Sequence, residues 1–152
     1  MIKKKDIQFM NLCIAASTIF STCAKKKYSA VLVDDSNHIV GFGYNGGPSG
    51  HVHCEDGGCP RLSQNSPSGS SYENCIAVHA EANAFLHSDY NLNAKKLYIN
   101  GPPCFDCAKL IANSTVKKLY YINDTSYIKW KEIKSFLNNS GIETIEIQNA
   151  SV

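Results

Sequence analysis

The sequence predicts an α/β chain folded as a three-layer α/β/α sandwich with a mixed central sheet. Three observations carry that expectation. Segments with helical apolar spacing alternate with short β-branched and aromatic runs along most of the chain, the pattern of a sheet covered by helices on both faces. The chain has 152 residues, which is one domain's worth of core, read here as a single domain over 1–152. Its 43% apolar and 18% charged residues are those of an ordinary globular protein.

The elements follow in order. Residues 6–22 carry Ile7, Met10, Ile14 and Phe20 on a loose helical period, predicting an opening helix. Ser29–Val33 and Ile39–Tyr44 read as strands, joined by a polar turn of Asp34, Asp35, Ser36 and Asn37. Residues 45–74 are rich in Gly, Pro, Ser, Asn and Cys and have little periodicity. A loop of about thirty residues needs something functional or covalent to organise it. A helical pattern resumes at His79 and runs through Ala80, Ala82, Ala84, Phe85 and Leu86. Strands are expected at 96–100, 118–122 and 143–147, and helices at 104–113 and 127–137, with Gly141 at a helix C-cap. Tyr120, Tyr121, Tyr127 and Trp130 suit a core or an oligomer interface better than a base-stacking platform.

Net charge is +2, too little to argue for a nucleic-acid partner. Lysines cluster at 3–5, 25–27 and 117–118, read as solvated element ends, with a phosphate-attracting rim as the sharper alternative. No apolar run is long enough for a bilayer, and no cleavable leader is recognisable, so the expected location is the cytoplasm. Seven cysteines in a reducing compartment point to metal before disulfides, and the odd count agrees.

Two short strings carry chemistry. One is His79-Ala80-Glu81, and the other is Pro103-Cys104-Phe105-Asp106-Cys107. Together, in this order, they match the H-x-E and P-C-x-x-C signature of zinc deaminases. The 24 residues between His79 and Cys104 leave room for a helix, a strand and two turns, so the second string can return beside the first. Cys104 and Cys107 then share one side of a helix start, where unpaired N–H groups favour thiolates. Three ligands leave one tetrahedral position for water, which is the catalytic arrangement. Glu81 is read as the proton shuttle and not as a fourth ligand. A closed structural zinc site would leave Glu81 without a role.

Longer matches narrow the resemblance. Ser21-Thr22-Cys23, Ser29-Ala30-Val31, Gly43-Tyr44-Asn45-Gly46, His53-Cys54, the stretch from Val78 to Ala84, and the stretch from Pro103 to Ile111 resemble the bacterial and phage deoxycytidylate (dCMP) deaminases. The resemblance implies a cytidine-deaminase-like fold and conversion of dCMP to dUMP and ammonia at a catalytic zinc. It implies that Asn45 lies at the nucleotide, with Ala80 beside it. Hexamers, activation by dCTP and inhibition by dTTP are further properties the family suggests, as is host cytoplasm if the chain is phage-encoded. The chain departs from the family at Asn100-Gly101-Pro102 and at Asn113-Ser114-Thr115-Val116. Some members carry a second, structural zinc, and Cys23 and Cys54 fall where two of its ligands stand. Cys59 and Cys75 complete an all-cysteine set, with His51 and His53 as rivals and four unrelated thiols as the plain alternative. Cys13 reads as core. The other functions to weigh are deamination of another cytosine nucleoside, nucleotide or base, and an inactive zinc-binding module.

Overall fold

The computed structural model describes residues 1–65, 74–89 and 93–148. Among the described residues, five α-helices and five strands follow in the order α1 (Lys4–Phe20), β1 (Ser29–Val33), β2 (Ile39–Tyr44), α2 (Pro60–Ser63), α3 (Ala80–Leu86), β3 (Lys96–Ile99), α4 (Phe105–Ala112), β4 (Lys118–Tyr121), α5 (Trp130–Asn139) and β5 (Glu143–Glu146). The sheet order is β2-β1-β3-β4-β5. β1 runs antiparallel to both β2 and β3, whereas β3, β4 and β5 are parallel, so the sheet is mixed as expected.

Alternation along the strands divides the core between two faces. Ala30 and Leu32 of β1, Leu97 and Ile99 of β3, and Leu119 and Tyr121 of β4 face Ala80, Ala84, Ala108, Ile111, Ile133 and Leu137 of α3, α4 and α5. Val31, Val33, Tyr98 and Tyr120 face Phe9, Met10 and Cys13 of α1. These are the three layers. The late aromatics are core residues: Tyr98 stacks on Tyr120 at 4.6 Å, and Tyr121 meets Trp130 edge-on at 4.7 Å.

One buried carboxylate locks α1 to the sheet. Asp6 accepts hydrogen bonds from the Lys3 backbone N–H (2.8 Å) and from the Tyr98 hydroxyl (2.7 Å). It thereby caps α1 and satisfies a tyrosine in the middle of β3.

Three boundaries differ from the sequence expectation. α1 stops at Phe20 because Ser21 turns to extended backbone and its hydroxyl goes to the Asn45 carbonyl instead. The helix expected at 127–137 begins only at Trp130, because Asp124 organises a turn first. It accepts from the backbone N–H of Ser126 and, through its own carbonyl, from that of Tyr127. The segment 45–74 is not wholly irregular: a 3₁₀ turn at Cys54–Asp56 and the single turn of α2 lie within it, while its stretch 66–73 lies outside the described residues.

Candidate metal centre

The centre forms where two helix starts meet. His79 immediately precedes α3 and Cys104 immediately precedes α4. Close packing of α3 on β2 sets the first start. A Cβ at Gly43 would lie 2.3 Å from both the Ala80 carbonyl oxygen and the Ala84 nitrogen, so only glycine lets the helix sit this low. The Asn83 side chain adds a hydrogen bond to the Tyr44 carbonyl (2.9 Å). The second start is set by the turn after β3. Asn100 accepts from the Ser29 N–H (2.9 Å) and donates to the Lys27 carbonyl (3.1 Å), while Gly101 lies against the ring of Tyr28. Pro102 and Pro103 then carry the chain into α4.

The two strings of the sequence meet here. His79 Nδ1 lies 3.4 Å from the sulfur of Cys104 and 3.4 Å from that of Cys107. All three ligand atoms lie within 4.8 Å of one another, and this is the one such metal-ligating cluster among the described residues. A tetrahedral zinc with ordinary Zn–N and Zn–S bonds needs its nitrogen and sulfur ligands about 3.6 Å apart. The donor set and its spacing therefore fit zinc. The Cys104 sulfur also accepts from the Cys107 backbone N–H at 3.5 Å, so it caps α4 while facing the metal position.

The charges suit a cation. The hydrogen bond from the Cys107 thiol, with help from His79 and the Cys107 N–H, pulls the Cys104 thiol down to about 4. Its partner Cys107 is held up by that same bond, then by burial and by the charge of Glu81. His79 is raised, first through its hydrogen bond to Cys104. Glu81 is 6% exposed, and burial pushes its carboxyl above the usual range. It bonds the Cys107 thiol but does not join the converging ligand atoms.

Asn45 lies one residue before Gly46, which pairs with Val78 through two backbone bonds of 3.2 and 2.8 Å. Asn45 and His79 are thus held at one spot on the sheet margin. The Asn45 side chain is 7% exposed and accepts from the Tyr28 N–H (2.8 Å) and the Ser21 hydroxyl, and donates to the Lys26 carbonyl (2.8 Å). Ala80 is buried in the first turn of α3.

Of the four cysteines set apart for a second metal, Cys54 and Cys59 are buried and Cys23 and Cys75 half-buried. The Cys54 thiol is pushed up to about 11, first by burial and then by the charges of Cys59, Cys23 and Cys75. The four thiols are electrostatic neighbours, although they do not converge as the first cluster does. The positioning roles of Gly43 and Asn100 escaped the sequence reading. Gly43 was visible there as part of Gly43-Tyr44-Asn45-Gly46, yet the backbone it admits lies some forty residues away.

Comparison with known proteins agrees with this geometry. The profile of the cytidine and deoxycytidylate deaminase zinc-binding region matches residues 3–123. The deoxycytidylate deaminase of Mycobacterium phage D29 is 40% identical over 122 residues, covering 76% of this chain and 92% of that protein. The deoxycytidylate deaminase of Schizosaccharomyces pombe is 34% identical over 140 residues. The match covers 91% of this chain but only 42% of the yeast protein's length. The crystal structure of the dCMP deaminase of cyanophage S-TIM5 in complex with dCMP and dUMP superposes with a TM-score of 0.75. It is 28% identical and covers 97% of this chain and 99% of that one.

Proposed function

The chain belongs to the family of zinc-binding cytidine and deoxycytidylate deaminases, and from that premise we propose that it hydrolyses dCMP to dUMP and ammonia. The observation that carries the reading is a three-ligand site with a buried carboxylate beside it and outside the ligand set. His79, Cys104 and Cys107 would hold the metal. Zinc, when bound, lowers the pKa of water so that hydroxide is available near neutral pH.

The chain's own residues supply the rest. Glu81 takes a proton from the attacking water and delivers it to the ring nitrogen of cytosine. Glu81 then takes the proton of the hydroxyl added at C4 and delivers it to the exocyclic amine, so that the C4–N bond breaks, the carbonyl forms and ammonia leaves. Its burial supports this role, because a carboxyl pushed above its usual range holds a proton more readily and can still return it. Asn45 and Ala80 line the nucleotide. Asn45 Nδ2 keeps one N–H for a ligand while its other bonds hold the amide rigid. The dCMP reading, rather than another cytosine compound, is supported by the relatives named deoxycytidylate deaminase and by the dCMP bound in the cyanophage structure. Ammonia release from dCMP, deoxycytidine and CMP tests it. Turnover of dCMP with at least a tenfold higher kcat/KM than the other two is expected, and a preference for deoxycytidine would overturn the nucleotide assignment.

Cys23, Cys54, Cys59 and Cys75 bind a second, structural zinc in this reading, supported by their mutual charge effects and by the burial of Cys54 and Cys59. Two zinc ions per chain are expected by metal analysis, falling to one in Cys54→Ser with the chain destabilised. A single zinc in the wild type would contradict it. The reading extends to homo-oligomers, to regulation by dCTP and dTTP, and to the cytoplasm, or the host's if phage-encoded. Seven free cysteines agree with a reducing compartment. No helix among the described residues is long and apolar enough to cross a membrane.

A further inference from the structure

The segment between α1 and β1 has no regular structure, yet it encloses Asn45. Both ends of the Asn45 amide are taken by it. The oxygen accepts from the Tyr28 N–H (2.8 Å) and the Ser21 hydroxyl, and Nδ2 donates to the Lys26 carbonyl (2.8 Å). The Asn45 backbone is held as well. Its N–H donates to the Tyr28 carbonyl (3.2 Å), and its carbonyl accepts from the Thr22 N–H (3.3 Å). A segment with no helix or sheet ladder of its own opens readily unless side chains tie it to its surroundings.

Two consecutive lysines supply such ties, each toward a different neighbour. Lys27 Nζ donates to the Ser21 carbonyl (2.6 Å) and pairs with Glu55 (3.1 Å) in the cysteine-rich loop. Lys26 Nζ pairs with Asp124 (3.3 Å), on the turn between β4 and α5, and also bonds the Tyr28 hydroxyl. Asp124 is itself fixed. Its Oδ1 accepts from the Ser126 N–H (3.0 Å) and from the Ser126 hydroxyl, which leaves Oδ2 for Lys26. The Ser126 hydroxyl first, then the Ser126 N–H and Lys26, hold its carboxyl below the usual range, so it is an anion at neutral pH.

Tyr28 connects this pair to the catalytic side. Its ring lies against Gly101, in the turn that leads to Cys104. Burial raises its hydroxyl, Lys26 opposes that, and the charges of Asp124 and Glu81 add to it. The residue whose N–H grips Asn45 is therefore an electrostatic neighbour of both Asp124 and Glu81.

We propose that Asp124 is a positioning residue for nucleotide binding. By holding the Lys26 side chain it fixes the Lys26 carbonyl, and through that carbonyl the Asn45 amide. The inference rests on the reading that Asn45 lies at the nucleotide. It concerns substrate binding and leaves the metal ligands and Glu81 untouched. The Lys26 and Asp124 side chains are 56% and 30% exposed, and an ion pair this exposed limits the effect to about fivefold.

Two variants isolate the pair. Asp124→Asn keeps an oxygen for Ser126 and removes the charge that holds Lys26. Lys26→Met removes the ammonium and keeps the carbonyl. Two readouts are taken on the zinc-loaded protein: hydrogen exchange of the segment 22–28, and KM and kcat for dCMP and deoxycytidine. Each variant should exchange that segment about three- to fivefold faster and raise KM for both substrates by a similar factor, with kcat within about twofold of the wild type. The double variant should match the single ones, because all three remove one interaction. Glu143→Gln, which breaks the exposed pair with Lys118, should change neither readout. Unchanged exchange or KM in Asp124→Asn, additive effects in the double variant, or a fall in kcat with KM unmoved would each overturn the proposal. A rise in KM confined to dCMP would make Lys26 a ligand of the phosphate and overturn it too. Exchange needs no substrate. A wild type that turns over neither compound would therefore fail the deaminase reading, while the exchange result still decides whether Asp124 holds the segment around Asn45.

Discussion

Gly43 is the residue that limits the height of α3 most tightly. Its missing Cβ admits the Ala80 carbonyl and the Ala84 nitrogen, and both belong to the turn that follows His79. Gly43→Ala must push the helix off β2 or strain it, at a cost of about 1–3 kcal/mol in a packed core. The displacement also moves His79 away from the two sulfurs. Urea unfolding should show a lower midpoint, and zinc affinity should fall with it. An alanine variant as stable and as zinc-replete as the wild type would show that the contact is unimportant. The residue scale was also where sequence was most informative about chemistry. The meeting of His79, Cys104 and Cys107, with Glu81 beside them, was legible because each belongs to one of two short local strings. Asn100 and Gly43 were not, since each acts on backbone far along the chain.

At the scale of elements, α1 is bound to the sheet by a polar buried unit and not by packing alone. Tyr98 and Tyr120 stack in the middle of β3 and β4, with the Tyr98 hydroxyl on Asp6. Burial, the first cause for both, raises the two hydroxyls, and Tyr120 is pushed up to about 12. A group whose folded pKa exceeds its unfolded value stabilises the fold fully below the unfolded pKa, near 10 for tyrosine. That contribution is lost as pH rises through the folded value. Stability should therefore be level up to about pH 10 and fall by roughly 2 kcal/mol or more toward pH 12. Urea midpoints at pH 8, 10 and 11.5 measure it, and Tyr120→Phe should flatten the alkaline fall. A fall that Tyr120→Phe does not change would assign it elsewhere. Strand ends proved easier to read than helix ends. β1 and β2 alternate or bury cleanly between polar turns, whereas the start of α5 is set by the Asp124 turn, which apolar spacing does not register.

The whole molecule was legible as a class because alternating periods leave few ways to cover both faces of a sheet. Strand order was not, because pairing is decided by contacts distant in sequence: β1 lies between β2 and β3, and the direction of the sheet changes at β3. That change places the β3–α4 turn beside the start of α3, so topology assembles the centre that the two strings describe separately. At the other end of these strands Lys95 and Lys117 likewise become neighbours only through β3–β4 pairing.

In the proposed reaction Glu81 moves protons beside a zinc that it would not bind. Ammonia release from dCMP and zinc content, measured on the same preparations of wild type and Glu81→Gln, test this most directly. The predicted result is full catalytic zinc in the variant with turnover reduced by about 10²–10⁴-fold. Loss of zinc together with turnover would make Glu81 a ligand, and undiminished turnover with zinc in place would remove it from the chemistry; either contradicts the proposed shuttle role.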